Sequence, residues 1–571
     1  MARTLVEFTF MRMKTTYVTG VSLLLMGSCA FGAETPAILN AGTTSDSRYL
    51  PDFSYAGFRN GASPLPAATG TLVTVDDFGA KPNDSIDDSK AIRAAIDVAN
   101  RVEGPVRVRF DAGRYRLSEV IRIERSDIVL QGAGSGAGGT TIELPRPLAQ
   151  VDTGKSLDEL RQYIRELDKR QVEPNANIDS YYSEYSWSGG FIWIQKPGTR
   201  PAPYLPEFDP EIDTLASIAA GARGERNIRL KSAASIARGD VLQIHWTNSV
   251  GPEAAIIDSI YGDSEIQVGS HHWRFPQRPL VRQTTRIVDI DGLSITLSDP
   301  LLHDINDELP ATVASWGHLS NVGIEDLHLE FPSAPWFGHH MERGYNGIYL
   351  TSAFDSWVRN VRISNADSGI LTYNSANVTL QDITTDGSRP AHYGVHMGNV
   401  HNVLAERIVV FNPVLHSLTF NTQSTKCVYK DSTVRTAAIL DQHAGSNHQN
   451  LYDNITFYVE AERNGDAVVA DVWDGSGAGY WQPGHGAFNT TWNLQLIFVS
   501  GAFSGETVLV QGLDEGPQAR IVGLHGNRKL QLDYRPEPYI ESLNSRVATV
   551  PSLYDYQKAI RMAPPTPPPA D

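Results

Sequence analysis

Cysteine is nearly absent from this chain, which has only Cys29 and Cys427 among its 571 residues. Cys29 falls in a segment that we expect to be removed on export, so a single cysteine remains afterwards. No intramolecular disulfide can then form, and packing and hydrogen bonding must hold the fold together. Cys427 lies in an apolar, strand-like run and is expected to be a buried small hydrophobe.

Basic residues are also outnumbered. The 48 Lys and Arg face 65 Asp and Glu, which gives a formal net charge of −17. Long-range repulsion from phosphates makes such a chain a poor partner for nucleic acid and for acidic membranes. The charge also argues mildly against a heavily sulfated substrate.

Long hydrophobic runs are missing apart from one near the start. Residues 11–14 supply a positive segment, 18–26 an apolar stretch too short to span a bilayer, and 30–33 a small-residue cleavage site. We therefore predict a signal peptide at 1–33, a secreted or periplasmic location, and no integral membrane segment after cleavage. Lipid attachment at Cys29 is the less favoured alternative, because Met stands where a lipobox usually has Leu.

A helix and several short strands occupy residues 73–144. Ile92, Ala95, Ile96 and Ala99 recur at helical spacing and form one apolar stripe, with an aspartate, Asp87 or Asp88, available as the cap. Short alternating runs follow the helix. This order predicts a helix that covers the open end of a coiled sheet.

The same stretch carries five motifs in a fixed order: Asp77-Phe78-Gly79-Ala80, Asn83-Asp84, Asp87-Asp88-Ser89-Lys90-Ala91-Ile92, Phe110-Asp111-Ala112-Gly113-Arg114-Tyr115 and Leu130-Gln131-Gly132-Ala133-Gly134. Together they resemble the N-terminal segment of the pectate-lyase-like superfamily. That resemblance implies an all-β, right-handed parallel β-helix that acts on polysaccharide. It does not fix the reaction, since the superfamily includes lyases, hydrolases, epimerases and phage tailspikes.

The remaining chain divides by its patterns. We predict an N-terminal extension at 34–72, a first part of the β-helix at 73–214, an inserted antiparallel β-subdomain at 215–305, a main β-helix at 306–550, and a C-terminal helix with a Pro-rich tail at 551–571. Asp291-Gly292 predicts a type I′ hairpin turn inside the insertion. Residues 269–275 are either a lid or an ordinary exposed loop.

A repeat becomes countable in the main β-helix. Gly347, Gly369, Gly394 and Ser417 each precede an apolar residue and are separated by 22, 25 and 23 residues. Such a period is typical of a solenoid, in which equivalent residues of successive coils stack. Asn374 and Asn399 fall at equivalent positions and predict an internal asparagine ladder.

Stacking these coils gathers histidines and acids on one face, because five histidines lie between 392 and 443. Clustered imidazoles can titrate near neutrality, which suits acid–base chemistry. Our catalytic candidates are His392, Tyr393, His416, Asp367 and Asp441. Our substrate-binding candidates are His396, His443, Arg389, Glu342, Arg343, Lys426, Arg435 and Trp473.

Two reactions suit such a groove. In β-elimination from a uronate, His392 or His416 would be the base and Tyr393 the acid, and a cation drawn from Arg389, Lys426 or Arg435 would neutralise the substrate carboxylate. Hydrolysis instead needs two carboxyl groups, for which the chain offers Asp367, Asp441, Asp386 and Glu342. We favour the lyase, with the hydrolase next and a non-catalytic glycan-binding or tailspike-like protein third.

Two further features are open to more than one interpretation. The aromatic run at 181–187 is either a sugar-stacking platform or a loop packed on the solenoid. No cofactor is predicted, but Asp441, His443 and His448 have a loose ligand spacing that zinc or calcium could use.

Overall fold

The computed structural model describes residues 35–40, 49–166, 182–199, 212–247, 255–262, 279, 281–436, 439–443, 445–474, 484–514 and 516–564. Three predicted features lie outside these residues: the signal peptide at 1–33, the loop at 269–275, and the tail from 565 onwards.

A parallel sheet of 20 strands extends through the molecule. Successive coils of the chain each add strands to it, so that residues far apart in sequence become neighbours. Its strands are Thr71–Thr74, Val106–Arg109, Gly113–Arg116, Ile128–Gln131, Thr140–Glu143, Leu319–Ser320, Val322–Glu330, Ala353–Ser364, Ser375–Asp386, Val400–His401, Leu404–Val410, Val428–Lys430, Thr433–Val434, Leu451–Asp453, Thr456–Val459, Thr490–Trp492, Gln495–Phe498, Arg520–Val522, His525–Gly526 and Tyr539–Glu541.

A second parallel sheet carries the counted repeat. Ile348 pairs with Ile370, Ile370 with Val395, and Val395 with Leu418, which confirms the predicted register. All four side chains are fully buried between the sheets. The strands of this sheet are Ile121–Ile123, Ile192–Ile194, Asn346–Thr351, Ser368–Tyr373, Ala391–Met397 and Val414–Phe420.

Two smaller sheets continue the solenoid toward the C-terminus. One consists of two parallel strands, and the other of four strands whose first pair is antiparallel. Their strands are Leu440–Asp441 and Trp473–Asp474, then Glu462–Asn464, Ala467–Asp471, Val508–Asp514 and Leu530–Arg535.

The insertion forms a closed antiparallel barrel with its own apolar core. The predicted type I′ turn is wrong. Asp291 pairs with Ser294, so Gly292 and Leu293 form the turn, and only Gly292 has a positive φ, of 59°, whereas type I′ needs two. The barrel strands are Thr214–Gly221, Asn227–Leu230, Val241–Trp246, Val281–Asp291, Ser294–Leu297 and Ala311–Ser315.

The predicted capping helix is present at Ser89–Ala99, and its four stripe residues are buried against the first coils. Of the two candidate caps, Asp87 accepts a hydrogen bond from the backbone N–H of Ser89, the first helical residue. The Asp88 carboxylate instead accepts hydrogen bonds from the backbone N–H of Lys81 and of Arg116, which ties the preceding loop to a strand. The other helices are Leu148–Val151, Asp158–Glu166, Ala255–Tyr261 and Leu553–Met562, with 3-10 turns at Ala37–Asn40, Val75–Phe78 and Glu184–Ser186.

The fold class is therefore confirmed: an all-β parallel β-helix with an N-terminal capping helix and an inserted antiparallel subdomain. Asn374 and Asn399 occupy equivalent corners with φ of 47° and 49°, a left-handed backbone that asparagine tolerates better than most residues. Cys427 is fully buried, as expected. Among the described segments, every helix falls short of the length and hydrophobicity that a bilayer crossing requires.

Candidate functional site

The candidate side chains lie on adjacent coils. Three neighbouring strands carry most of them, and the loop at 338–345 carries the others. Tyr393 on strand Ala391–Met397 pairs with Ser368 of the coil before it and with His416 of the coil after it. His416 in turn pairs with Ile439, two residues before Asp441. Residues separated by about one coil in sequence are therefore direct neighbours in space.

His392 lies between a carboxylate and a second imidazole. Its Nδ1 is 3.3 Å from Oε1 of Glu342, and its Nε2 is 3.2 Å from Nε2 of His339. The His392 ring stacks on Tyr393 with centroids 4.0 Å apart. Only 1% of His392 is exposed, so these neighbours replace water around it.

Asp441 lies between two other imidazoles. Its Oδ2 is 3.3 Å from Nδ1 of His416, and its Oδ1 is 3.3 Å from Nδ1 of His443. Asp441 is fully buried and His416 nearly so, whereas His443 is half-buried. A single carboxylate therefore orients one internal histidine and one that reaches the surface.

These contacts, together with ring contacts, define a histidine cluster of six residues: His339, His340, His392, His396, His416 and His443. His396 joins it through the Tyr393 ring, with centroids 4.7 Å apart. Ring centroids within the cluster lie 3.8 Å apart for His339 and His340, and 5.3 Å apart for His392 and His416. His339 is exposed, and His340 and His443 are half-buried. The cluster therefore extends from the solenoid wall to solvent.

An open depression of about 640 Å³ adjoins the cluster at Glu342. Its walls include Tyr182, Phe337 and Arg343. Tyr182 also contacts the His340 ring, with centroids 4.6 Å apart. The aromatic run thus packs on the solenoid and borders an opening at the same time.

Burial sets the electrostatics of the cluster. Loss of water lowers the pKa of His392 and of His416 well below the usual histidine value, and lowers that of His340 to about 2. The same cause raises the pKa of the Tyr393 phenol well above its ordinary value. The imidazoles of His340, His392 and His416 are therefore neutral at pH 7, and Tyr393 holds its proton tightly.

Asp367 lies near the cluster, but its contacts are with residues outside it. Its Oδ2 accepts hydrogen bonds from the backbone N–H of Gly344 and of Tyr345, and its Oδ1 is 3.5 Å from Nε of Arg389. Both charged residues of the pair are buried, and Arg389 also lies over the Tyr345 ring. These contacts assign Asp367 and Arg389 to holding the loop, rather than to the catalytic and substrate-binding roles predicted for them.

Several other predicted residues make their contacts outside the cluster. Lys426 is buried beside Phe53, Arg435 is exposed and packs on Phe411 and Tyr458, and Asp386 pairs with Arg362. Trp473 is only 1% exposed and pairs with Leu440, so it cannot present a ring face to a sugar. The predicted substrate roles of Lys426, Arg435 and Trp473 are corrected accordingly.

The predicted ligand set Asp441, His443 and His448 is not brought together. Nε2 of His448 is 2.8 Å from Nε2 of His303, in a buried pair near the barrel. The structure instead forms two groups whose ligand atoms lie within 4.8 Å of one another. They are His339, His392 and His416, and His416, Asp441 and His443.

Sequence reasoning missed His339 and His340 as members of the cluster, although it placed Glu342 and Arg343 at the rim. The signal was present as two consecutive histidines, three and two residues before the buried Glu342. The loop follows no coil period, which is why stacking alone did not find them.

Comparison with known proteins gives a match at the N-terminal end. Residues 72–164 match a family described as "Rhamnogalacturonase A/epimerase, pectate lyase-like". This match confirms the resemblance of the first coils to pectate-lyase-like proteins. Alpha-1,3-galactosidase A of Streptomyces avermitilis is 39% identical over 61 residues. The matched segment is 11% of this chain and 10% of that curated relative, so the chain spans about a tenth of the relative's length.

Two solved structures are similar at low identity. A tailspike protein of Pseudomonas phage LKA1 is 13% identical, with 82% of this chain and 80% of that chain covered and a TM-score of 0.39. An exopolygalacturonase of Thermotoga maritima is 11% identical, with 85% and 94% covered and a TM-score of 0.34.

Proposed function

We propose that this protein is a polysaccharide lyase that cleaves a uronate-containing glycan by β-elimination at the histidine cluster. One observation carries the proposal. The imidazoles His339, His340 and His443 reach solvent, while the neighbouring carboxylates of Glu342 and Asp441 are 1% and 0% exposed.

This pattern of exposure favours β-elimination over hydrolysis. Glycoside hydrolysis needs two carboxyl groups that flank the scissile bond and touch the sugar. Glu342 instead accepts a hydrogen bond from the Ser186 hydroxyl at 2.6 Å and approaches His392, and Asp441 approaches His416 and His443. These carboxylates support imidazoles, and the imidazoles are available for proton transfer.

The depression beside the cluster is lined by two arginines and three acids. Arg161 pairs with Asp152 and Glu184, which leaves Arg343 as the cation for an acidic sugar. Arg343 is exposed there, 5.6 Å from the Phe337 ring, and makes no ion pair with any residue that the structure describes. A guanidinium matches a carboxylate in two parallel hydrogen bonds. Phe337 in the wall is exposed and offers ring surface for the apolar side of a pyranose, and the next residue in the chain, Trp336, is exposed as well.

The proposed step removes one proton from the sugar and delivers one proton to the leaving oxygen. A cluster imidazole removes the proton α to the sugar carboxylate, the released electron pair forms the C=C bond as the C–O bond to the leaving sugar breaks, and an acid protonates that oxygen. We assign both proton transfers to His443, which accepts the proton from the sugar and, as imidazolium, returns one to the leaving oxygen. Burial lowers the pKa of His340 to about 2, which makes this imidazole too weak a base for the step. Arg343 binds the sugar carboxylate and stabilises the negative charge that develops on it.

The test uses a panel of uronate polysaccharides and follows the ultraviolet absorbance of the unsaturated product. His443→Ala should lower kcat by roughly 100- to 10,000-fold, the usual contribution of acid–base catalysis. Arg343→Ala should raise KM by about tenfold through the loss of one charge-assisted contact of ~1.4 kcal/mol. Arg435→Ala is the matched control, because this exposed arginine makes its contacts outside the cluster.

A glycoside hydrolase is the second candidate, supported by the words "rhamnogalacturonase" and "galactosidase" in the matched names. The family match ends at residue 164, before any cluster residue. New reducing ends without ultraviolet absorbance would replace the lyase by the hydrolase. Binding without new ends would remove both.

A further inference from the structure

We infer that His339, His392 and His416 form a binding site for one divalent transition-metal ion, with zinc as the reference ion. The inference concerns metal binding by these three side chains and does not depend on the proposed reaction. Their ligand atoms lie within 4.8 Å of one another. Imidazole is the ligand that zinc and its neighbours in the transition series share.

The contact between His339 and His392 has the spacing of a metal site. Their Nε2 atoms are 3.2 Å apart. Two nitrogens bound to zinc at about 2.05 Å with a tetrahedral angle are about 3.3 Å apart. The distance between the pair therefore already fits an ion, and His416, within 4.8 Å of both, needs a shift of at most about 1.5 Å to reach the same spacing.

Both buried histidines have a carboxylate on the side away from the proposed ion. Nδ1 of His392 is 3.3 Å from Glu342, and Nδ1 of His416 is 3.3 Å from Asp441. Metal-binding histidines commonly donate the second ring N–H to a carboxylate, which fixes the tautomer and strengthens the ligand. His392 and His416 both have Nδ1 beside a carboxylate, which leaves Nε2 of each ring available for the metal.

His416 adds an independent observation. Only 6% of this residue is exposed, yet neither ring nitrogen has a hydrogen-bond partner within the part of the chain that the structure describes. A buried polar group without a partner is costly, by about 1–3 kcal/mol. An ion at Nε2, with Asp441 drawn to Nδ1, would satisfy both nitrogens.

Three protein ligands leave one tetrahedral position open. His339 is the exposed member of the set, so this position would face solvent. Structural zinc sites close all four positions with protein ligands, whereas catalytic sites keep one for water or substrate. The predicted site is of the second kind.

The experiment measures zinc binding directly on the full chain. The protein is stripped with a chelator, titrated with Zn²⁺ by calorimetry, and checked for retained metal by elemental analysis after dialysis. We expect about one ion per chain. His339→Ala should weaken binding by at least about 100-fold and Glu342→Gln by about 10- to 100-fold, the usual loss for an outer-shell partner.

Two further variants decide where the ion binds. His525→Ala is the matched control, since this half-buried histidine lies on a distant coil, and it should bind zinc as the parent does. His339 is exposed, so its replacement should keep the fold, which a melting curve verifies. Unchanged affinity in His339→Ala, or loss only in His443→Ala, would overturn the site as assigned.

Discussion

At the scale of single residues, the contacts of a side chain separate two aspartates that the sequence places in one group of candidates. Asp367 and Asp441 lie three coils apart along the solenoid and are both buried, but their partners differ. Asp367 contacts two backbone N–H groups and Arg389, whereas Asp441 contacts two histidines. Partners, rather than residue type, therefore distinguish a carboxylate that holds a loop from one that supports the cluster.

Replacing Asp367 tests this distinction. In Asp367→Asn the buried Arg389 loses its counter-ion, and an amide N–H₂ can face the backbone N–H groups of Gly344 and Tyr345. Breaking a buried ion pair costs about 3–5 kcal/mol, so urea denaturation should show a comparable loss in the free energy of unfolding. A fully stable variant with abolished activity would instead give Asp367 the catalytic role.

At the scale of structural elements, glycine permits the close stacking of coils in the second sheet. A Cβ on Gly369 would lie 2.4 Å from the carbonyl oxygen of Gly394, and one on Gly394 would lie 2.5 Å from that of Ser417. Backbone oxygens cannot move aside as a flexible side chain can. The repeated glycine therefore marks positions where successive coils touch through their backbones.

The variant Gly369→Ala should consequently destabilise the solenoid. Overpacking a dense interior costs about 1–3 kcal/mol, which thermal or urea unfolding can measure. Gly136→Ala is the matched control, because a Cβ there meets nothing within 4 Å. Equal stability of the two variants would contradict the stacking argument.

The elements also show which parts of the fold were predictable. The repeat of Ile348, Ile370 and Val395 and the stripe on helix Ser89–Ala99 could be found because regular spacing expresses regular packing. Lys426 could not be placed, since its φ of 55° puts it at a corner where the chain changes direction. Trp473 lies in a strand of two residues, too short for any period to be visible.

The same limit applies to the candidate site. Stacking correctly brought His392, His416 and Asp441 together, because each lies on or beside a strand of the counted coils. His339 and His340 come from an irregular loop, whose path depends on contacts such as those of Glu342 and Asp367. Such contacts between distant residues leave no pattern in the local sequence.

At the scale of the whole molecule, buried histidines predict sensitivity to acid. Burial, with nearby Arg282, lowers the pKa of His245 to about 3, and burial, with Lys426 nearby, lowers that of His448 to about 4. The pKa of His303 is also well below its usual value. Below about pH 6.5 these histidines take up protons in the unfolded chain but stay neutral in the folded chain. The free energy of unfolding therefore falls as pH decreases.

Each such histidine contributes a slope of up to about 1.4 kcal/mol per pH unit. Denaturation at about pH 7.5, 6.5 and 5.5, with chelator and constant ionic strength, should show the free energy of unfolding decreasing most over the last interval. His245→Gln should reduce that decrease. Constant stability down to about pH 5.5 would contradict the prediction.

The inserted barrel also affects the order of assembly during synthesis. Ile192 pairs with Ile348, and Ile128 pairs with Val322, across the whole insertion. While the ribosome makes the barrel, the first coils therefore expose open strand edges, which readily recruit other chains. The barrel has its own apolar core, and its first strand pairs with its last, Thr214 with Ala314. Once folded, the barrel therefore holds close together the two chain ends at which the solenoid is interrupted.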